Sequence, residues 1–310
     1  MGSYCLRRLG KALVILIGVS FLAYVLIDLA PADPAQVIAA QRLGGHPNAD
    51  QVAWVRQAYG LDQPLLVQYG RWAQQVLQGN WGYSIRTGNS ITAEIGTALR
   101  YSLTLALWTL SFVVVVGVAL GAWAALRPDS LWDQLMRWAT LIIVAVPEFW
   151  LAFLLILLFA VQLGWLPSYG AKSGWHLILP LVALGLGPTA QLARLTRILL
   201  LDELGRDYLR TARAKGLSAR RALLHHALPN IVVPFITLLA VQFSALVGGA
   251  VIIETIFTWP GLGSYYITAV EFRDIPVIQT TVLVFAVIIS SANLLADLSY
   301  GLVDPRIRLG

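Results

Sequence analysis

The sequence is poor in charge and almost free of cysteine, and each shortage excludes a class of protein. Only 12% of the 310 residues are charged, whereas 58% are hydrophobic. A soluble globular protein carries about twice that charged fraction. The single cysteine, Cys5, excludes an internal disulfide and any metal site built from several cysteines. The composition therefore indicates a membrane protein rather than a soluble domain.

Sequence motifs for nucleotide hydrolysis and for metal catalysis are also missing. No G-x-x-x-x-G-K-[ST] pattern occurs, because Gly10-Lys11 and Ala171-Lys172 lack the glycines that would surround phosphates. No H-E-x-x-H pattern occurs either, and the 4 histidines do not group with carboxylates as metal ligands. We therefore predict that the chain is not an enzyme, has no metal site and binds no cofactor itself.

Long apolar runs account for most of the chain. The first extends from Ala12 to Ala30, and at about 1.5 Å per helical residue it reaches across a bilayer core. A second run lies between Arg100 and Arg127, and a third follows Arg137. The later runs extend from His176 to Leu201, from Ile231 to about Ile256, and onward to about Leu302. The pattern predicts an all-α, polytopic membrane protein with six transmembrane helices.

The third apolar run contains a carboxylate. Pro147 and Glu148 fall near the middle of this span, which we predict to be one transmembrane helix. A carboxylate at that depth must face protein or a water-filled cavity. Glu148 is therefore a candidate for the translocation path, or for a structural bond to a neighbouring helix. Gln191 and Gln242 are further candidates for the path.

The fourth span contains Pro180 and Pro188, which predict that this helix is kinked or broken. Arg194 and Arg197 lie one turn apart near its inner end. Two roles are open for this pair. The arginines either close an inner gate or hold lipid phosphate.

The distribution of basic residues favours one orientation in the membrane. With both termini in the cytoplasm, fifteen of the 22 Lys and Arg residues lie inside: Arg7, Arg8, Lys11, Arg127, Arg137, Arg194, Arg197, Arg206, Arg210, Arg213, Lys215, Arg220, Arg221, Arg306 and Arg308. Cytoplasmic loops are enriched in Lys and Arg, so this orientation is the predicted one. Anionic membrane lipid then explains the net charge of +6 without a nucleic-acid partner.

The predicted topology divides the chain into four parts. Residues 1–35 form a cytoplasmic flank and the first transmembrane helix, and residues 36–100 form a small helical subdomain on the outer face. Residues 101–304 form a five-helix core, and residues 305–310 a cytoplasmic tail. The outer subdomain is expected either to receive a binding protein or to serve as a structural cap.

One long polar segment, residues 207–229, lies between two apolar spans of the core. Basic residues outnumber acidic ones here, good helix formers precede Gly216, and Pro229 closes a second short helix. The residues alone allow two interpretations. The segment is either an ordinary basic cytoplasmic loop or a rigid helix-turn-helix that docks on a partner.

This segment resembles the EAA loop of ABC-importer permeases, whose pattern is Glu-Ala-Ala, three residues, Gly, nine residues, Ile, one residue, Leu-Pro. The matching positions are Ala212, Gly216, Leu228 and Pro229, and the departures are Arg210, Thr211 and His226. The stretch YLRTARAKG is typical of the peptide/nickel branch of that family. By this resemblance the loop couples to an ATPase through Arg210, Thr211, Ala212, Arg213, Ala214, Lys215, Gly216 and Leu217.

Three further stretches resemble the same branch. Residues 29–35, LAPADPA, are similar to its L-x-PGDPA, with Ala32 in place of glycine. Residues 60–72 contain its GLDxPLxxQY pattern, and residues 254–264 match its ExxFxWPGLG pattern position for position. Phe257 and Trp259 in the last of these are expected at the outer membrane interface.

The resemblance implies a type I ABC importer permease fold that forms half of a translocation pathway for small peptides. It also implies partners: a second, different permease, two ATPase subunits that hold ATP and Mg²⁺ at the cytoplasmic face, and an extracytoplasmic solute-binding protein. The expected location is the inner (plasma) membrane of a prokaryote.

Two alternatives stay open at this point. The same machinery could import nickel or a metal-chelate complex. A more distant alternative is a secondary transporter, which would predict inverted repeats and several charges within spans.

Overall fold

The computed structural model describes residues 2–29, 33–43, 45–208, 218, 221 and 231–303, and within them helices joined by loops make up the fold. The helices are α1 (Gly2–Asp28), α2 (Pro34–Leu43), α3 (Ala49–Ala58), α4 (Leu65–Leu77), α5 (Ile91–Leu126), α6 (Leu131–Ala145), α7 (Glu148–Leu155, continued by a π-helix at Ile156–Gln162), α8 (Trp175–Leu204), α9 (Val232–Ile256), α10 (Leu262–Glu271) and α11 (Ile275–Val303). The predicted all-α class is confirmed.

The predicted spans correspond to these helices. Four segments are long and apolar enough to cross a membrane, namely Leu6–Leu26 of α1, α5, α8 and Ile275–Leu295 of α11. The pair α6 and α7 makes a fifth candidate, and α9, with 25 residues, contains the shorter apolar stretch Val241–Ile256. Each of the six predicted spans is thus a helix or a bent helix pair. The hydrocarbon core of a bilayer offers no hydrogen-bond partner to backbone N–H and C=O groups. A helix pairs these groups internally and can therefore span it.

The third span departs from the prediction of a single transmembrane helix. It bends by 104° between α6 and the α7 segment. Val146 has φ −87° and ψ 125°, an extended conformation, because a residue that precedes proline is disfavoured in the helical region. The bend places Glu148 at the first position of α7 rather than in mid-helix. The positive end of a helix dipole favours a carboxylate at that position.

The chain forms two compact units. The first unit contains Ser102–Trp259 and continues from Ala292, and the second contains Gly2–Tyr101 and Pro260–Ser291. In the first unit, α8 packs against α6, α7 and α9. Helix α8 continues through Pro180 and Pro188, so of the predicted kink or break the break is wrong, and the kink stays a prediction. Burial on several sides explains the continuity, because neighbouring helices compensate for a proline inside an apolar helix.

Small residues allow this close packing. A Cβ on Gly121 of α5 would overlap the Ala193 carbonyl oxygen of α8 and would lie 2.6 Å from Cβ of Thr196. A Cβ on Gly117 would lie 3.1 Å from Cβ of Leu192. The two glycines therefore set how near α5 approaches α8.

The turn after α9 buries the aromatic residues that were expected at the interface. Phe257 and Trp259 are 1% and 4% exposed, so their predicted interfacial position is wrong. The Trp259 N–H donates to the Glu254 carbonyl (2.8 Å), and the Gly170 N–H donates to the Phe257 carbonyl (2.8 Å). Backbone bonds thus hold the turn against the loop that precedes α8, and this explains why the rings lie inside.

The second unit is held by two buried apolar clusters and a buried carboxylate. One cluster joins α5, α10 and α11 through Ile91, Ile95, Ala98, Leu262, Ala269, Val277 and Val284, and the other joins α2 and α3 to Ile85. Asp274, 1% exposed, accepts hydrogen bonds from the Ser84 hydroxyl (2.5 Å) and from the N–H groups of Ile85 (3.1 Å) and Arg86 (3.2 Å). These bonds fix the loop before α5. The position of residues 36–100 on the outer face stays a prediction.

We predict that Gly121→Ala destabilises the chain, because the added methyl group must push α5 away from α8. Overpacking of this kind costs about 1–3 kcal/mol. The expected result is a lower thermal unfolding temperature of the purified complex in detergent. Gly18→Ala in α1 is the matched control, since no atom lies within 4 Å of its added Cβ. Equal unfolding temperatures for the two variants would show that Gly121 does not limit the packing.

Candidate functional site

The 207–229 segment is anchored at both ends to one buried apolar cluster. Leu200 and Leu204 at the end of α8 pack with Ala125 of α5 and with Ile231, two residues after the segment ends at Pro229. All four are 9% exposed or less. The chain before the segment and the chain after it are therefore held in the same buried cluster. The predicted coupling residues 210–217, together with the tail 305–310, lie outside the described residues.

Three residues that were predicted for the translocation path line one cavity of the first unit. Glu148 of α7, Gln191 of α8 and Gln242 of α9 border a space of about 240 Å³. The other lining residues are Ile143, Val144, Val146, Gly187, Pro188, Leu238, Val241, Ala245 and Leu246. The polar groups thus converge from three helices onto an otherwise apolar wall.

The two glutamines of the cavity are bonded to each other. The Gln242 side-chain amide donates to Oε1 of Gln191 over 2.8 Å. Gln242 is 5% exposed, and a buried amide is costly without such a partner. The bond ties α8 to α9. It leaves the Gln191 amide N–H groups and the second lone pair of its oxygen as the groups that a ligand could reach.

The Glu148 carboxylate fits the cavity because of a glycine on α9. A Cβ on Gly249 would lie 2.8 Å from Oε2 of Glu148 and 3.2 Å from a Leu184 methyl group. Any larger residue at 249 would therefore displace the carboxylate. Glu148 itself is exposed to the cavity side of α7 rather than enclosed. A negative charge in this position can attract an ammonium or another cationic group.

The two arginines of the predicted inner gate have different surroundings. Arg197 donates to both oxygens of Asp133 on α6, through Nε to Oδ1 and through Nη2 to Oδ2 (2.7 Å). Asp133 is fully buried, and it also accepts from the Asp129 N–H (3.0 Å). This bidentate pair fixes α6 to α8. Arg194 is exposed on α8. Their gating role stays a prediction.

Sequence reasoning missed Asp133 and Gly249, the partners of two predicted residues. Asp133 lies 64 positions before Arg197, and no local pattern links them. Gly249 belongs to a Gly-Gly pair in an apolar helix. Such a pair indicates close contact with a neighbouring helix, but the sequence does not show which helix that is. Both pairings depend on how α8 packs against α6, α7 and α9.

Comparison with known proteins identifies the class to which this helical membrane chain belongs. Residues 117–309 match the family described as binding-protein-dependent transport system inner membrane component. Residues 1–104 match the N-terminal family of binding-protein-dependent transport system membrane components. The chain belongs to this family, and it is therefore the multi-pass inner-membrane permease subunit of a binding-protein-dependent ABC importer. The family implies an ATPase and a solute-binding protein as partners.

Curated relatives match along the full length of the chain. The glutathione transport system permease protein GsiC of Salmonella paratyphi A is 39% identical over 99% of both chains. A probable peptide ABC transporter permease, y4tP of Sinorhizobium fredii, is 40% identical over 99% of this chain and 100% of its own. The dipeptide transport system permease DppB of Alkalihalophilus pseudofirmus is 37% identical over the same shares. The predicted resemblance to peptide-type ABC permeases is confirmed.

A solved structure shares the fold. An inward-facing form of the MetNI methionine ABC transporter matches with a TM-score of 0.58 and 18% identity, over 68% of this chain and 96% of that chain. At this identity the likeness concerns the fold alone. It confirms the predicted type I importer permease fold.

Proposed function

We propose that this chain forms half of the translocation pathway of an importer for small peptides. The observation that carries the proposal is the full-length similarity to permeases named for glutathione, peptide and dipeptide transport. Nickel or a metal-chelate complex is the alternative cargo. Family membership sets the secondary transporter aside, because this family works with a binding protein.

The other half of the pathway comes from a second, different permease in this proposal. Two ATPase subunits at the cytoplasmic face hold ATP and Mg²⁺ and perform the hydrolysis, and this chain contributes no nucleotide site. A solute-binding protein delivers the cargo from outside. The excess of Lys and Arg in the loops assigned to the inside supports cytoplasmic N- and C-termini.

Coupling to the ATPase takes place through residues 210–217 in this account. The anchoring of the segment supports it, since Leu204 before the segment and Ile231 after it belong to one buried cluster. A push on the segment is then passed on as a rigid-body movement of α8 and α9, which both border the cavity.

The cavity lined by Glu148, Gln191 and Gln242 is our proposal for this chain's contribution to the path. Its chemistry suits a peptide. The carboxylate attracts an α-ammonium group, and a glutamine amide both donates to and accepts from peptide groups. Arg194 and Arg197 follow further along α8. In this proposal the exposed Arg194 closes the path or binds lipid phosphate, and Arg197 supports it while its guanidinium stays paired with Asp133.

The coupling proposal is tested with Gly216→Pro in the complete complex, reconstituted in lipid with its ATPase subunits and binding protein. Proline removes a backbone donor and fixes φ, so we expect it to disrupt the helix-turn-helix that the sequence predicts here. We expect the variant to insert and assemble, but to lose the stimulation of ATP hydrolysis by cargo-loaded binding protein, and to lose uptake. Dipeptide, glutathione and a nickel chelate supplied singly identify the cargo.

The matched control is Gly174→Pro, at a position before α8 where φ is −57° and therefore suits proline. This variant is expected to retain stimulated hydrolysis. If Gly216→Pro transported as well as the control, the 207–229 segment would not be the coupling element.

The path proposal is tested by comparing two adjacent glycines of α9. Gly249→Ala brings a methyl group within 2.8 Å of the Glu148 carboxylate and must displace it. Gly248→Ala meets no atom within 4 Å. We expect Gly249→Ala to reduce peptide uptake by roughly tenfold, the size of one lost hydrogen bond to a charged group, and Gly248→Ala to leave uptake unchanged. Glu148→Gln should resemble Gly249→Ala, and equal uptake in all three variants would contradict the proposal.

A further inference from the structure

The last turn of α8 carries a buried carboxylate. Glu203 is 3% exposed and lies two residues before the C-terminal cap of the helix, Gly205. Both features disfavour a negative charge. The C-terminal end of a helix dipole is itself negative, and burial of a carboxylate is costly unless it is paired. Such a residue needs strong bonding partners.

Both oxygens of this carboxylate hold groups from the chain that follows the helix. The Tyr208 hydroxyl donates to Oε1 over 2.5 Å, and Nε of Arg206 lies 2.9 Å from Oε2. Residues 205–206 form a turn, and residues 207–208 are helical again. Glu203 therefore bonds across the junction between α8 and the first residues of the 207–229 segment.

The two contacts share one buried carboxylate. The Arg206 side chain is 59% exposed, so water screens its ion pair in part. The hydroxyl of Tyr208, a residue that is 43% exposed, donates to the same buried charge, where such bonds are shorter and stronger than neutral ones. The carboxylate of the neighbouring Asp202 is exposed where that of Glu203 is buried. Its side chain is 77% exposed and lies 3.9 Å from Arg206.

The carboxylate is itself held in place by the helix that bears it. Leu200 and Leu204, which flank Glu203 on the same stretch of α8, are buried in the cluster with Ala125 and Ile231. The last turn of α8 is thus fixed by apolar packing, and Glu203 extends this fixed region to Tyr208.

We propose that Glu203 and Tyr208 form a latch that makes the start of the 207–229 segment move as one body with α8. The pair acts as positioning residues, which transmit force from the ATPase without touching cargo or nucleotide. This inference rests on the proposed coupling function. It adds a specific contact through which the coupling passes.

The test uses the complete complex in proteoliposomes and measures peptide uptake per ATP hydrolysed. Tyr208→Phe keeps the ring and removes the hydroxyl, and we expect it to lower this ratio by about tenfold, as for the loss of one hydrogen bond to a charged group. Asp202→Asn, one position before Glu203 and exposed, is the matched control and should retain the native ratio.

Glu203→Gln and Glu203→Ala separate positioning from general stability. The glutamine side chain keeps an oxygen that accepts from the Tyr208 hydroxyl. The uptake per ATP hydrolysed in Glu203→Gln should therefore lie well above that in Glu203→Ala. In Glu203→Ala, the added Tyr208→Phe change should have a smaller effect than it has in the native chain, because the shared bond is already lost. Should Glu203→Ala fail to assemble, Tyr208→Phe alone decides, since it removes only the hydroxyl of a residue that is 43% exposed.

The outcomes separate the latch from the function on which it rests. A native ratio in Tyr208→Phe would overturn the latch while leaving the coupling function intact. A native complex in which loaded binding protein does not stimulate hydrolysis would instead contradict the coupling function itself.

Discussion

Close packing of α8 against α6, α7 and α9 is the constraint on which the first unit depends. Gly249 lets α9 lie close to Leu184 of α8 and Glu148 of α7, and two polar pairs then fix the register of the helices. Asp133 with Arg197 joins α6 to α8, and Gln191 with Gln242 joins α8 to α9. Without this packing, neither the cavity beside Glu148 nor the anchored end of α8 would have a defined position.

The same helix links the two features that an importer needs. Its middle borders the cavity through Gln191, and its C-terminal end leads into the 207–229 segment beside Leu204. Helix α8 has buried residues from Leu179 to Leu204, and a helix packed in this way moves as a rigid body, because interiors are close-packed and resist gradual deformation. In the proposed mechanism, a force on the cytoplasmic segment therefore reaches the cavity as a displacement of α8.

Much of the fold could be predicted from the sequence, because apolar runs and helix signals are local. The six apolar spans and the motif at residues 254–264 are local features of the sequence. The selection of Glu148 as a candidate for the path also follows from a local feature, a carboxylate within an apolar span. The bend at Val146 and the burial of Phe257 and Trp259 could not be predicted. The bend and the burial depend on which helices and loops pack around these residues. The pairing of Glu203 with Tyr208 depends on the same kind of contact. A hydropathy pattern does not show which residues will be in contact.

The central claim is that hydrolysis by a partner ATPase drives peptide through a path to which this chain contributes. It is tested most directly by uptake of a labelled dipeptide into proteoliposomes that contain the complete complex, with ATP or a non-hydrolysable analogue on the ATPase side. The account predicts that the dipeptide accumulates above its external concentration with ATP but not with the analogue. It predicts no accumulation when the ATPase subunits are omitted. Accumulation without the ATPase, driven by an ion gradient, would contradict it.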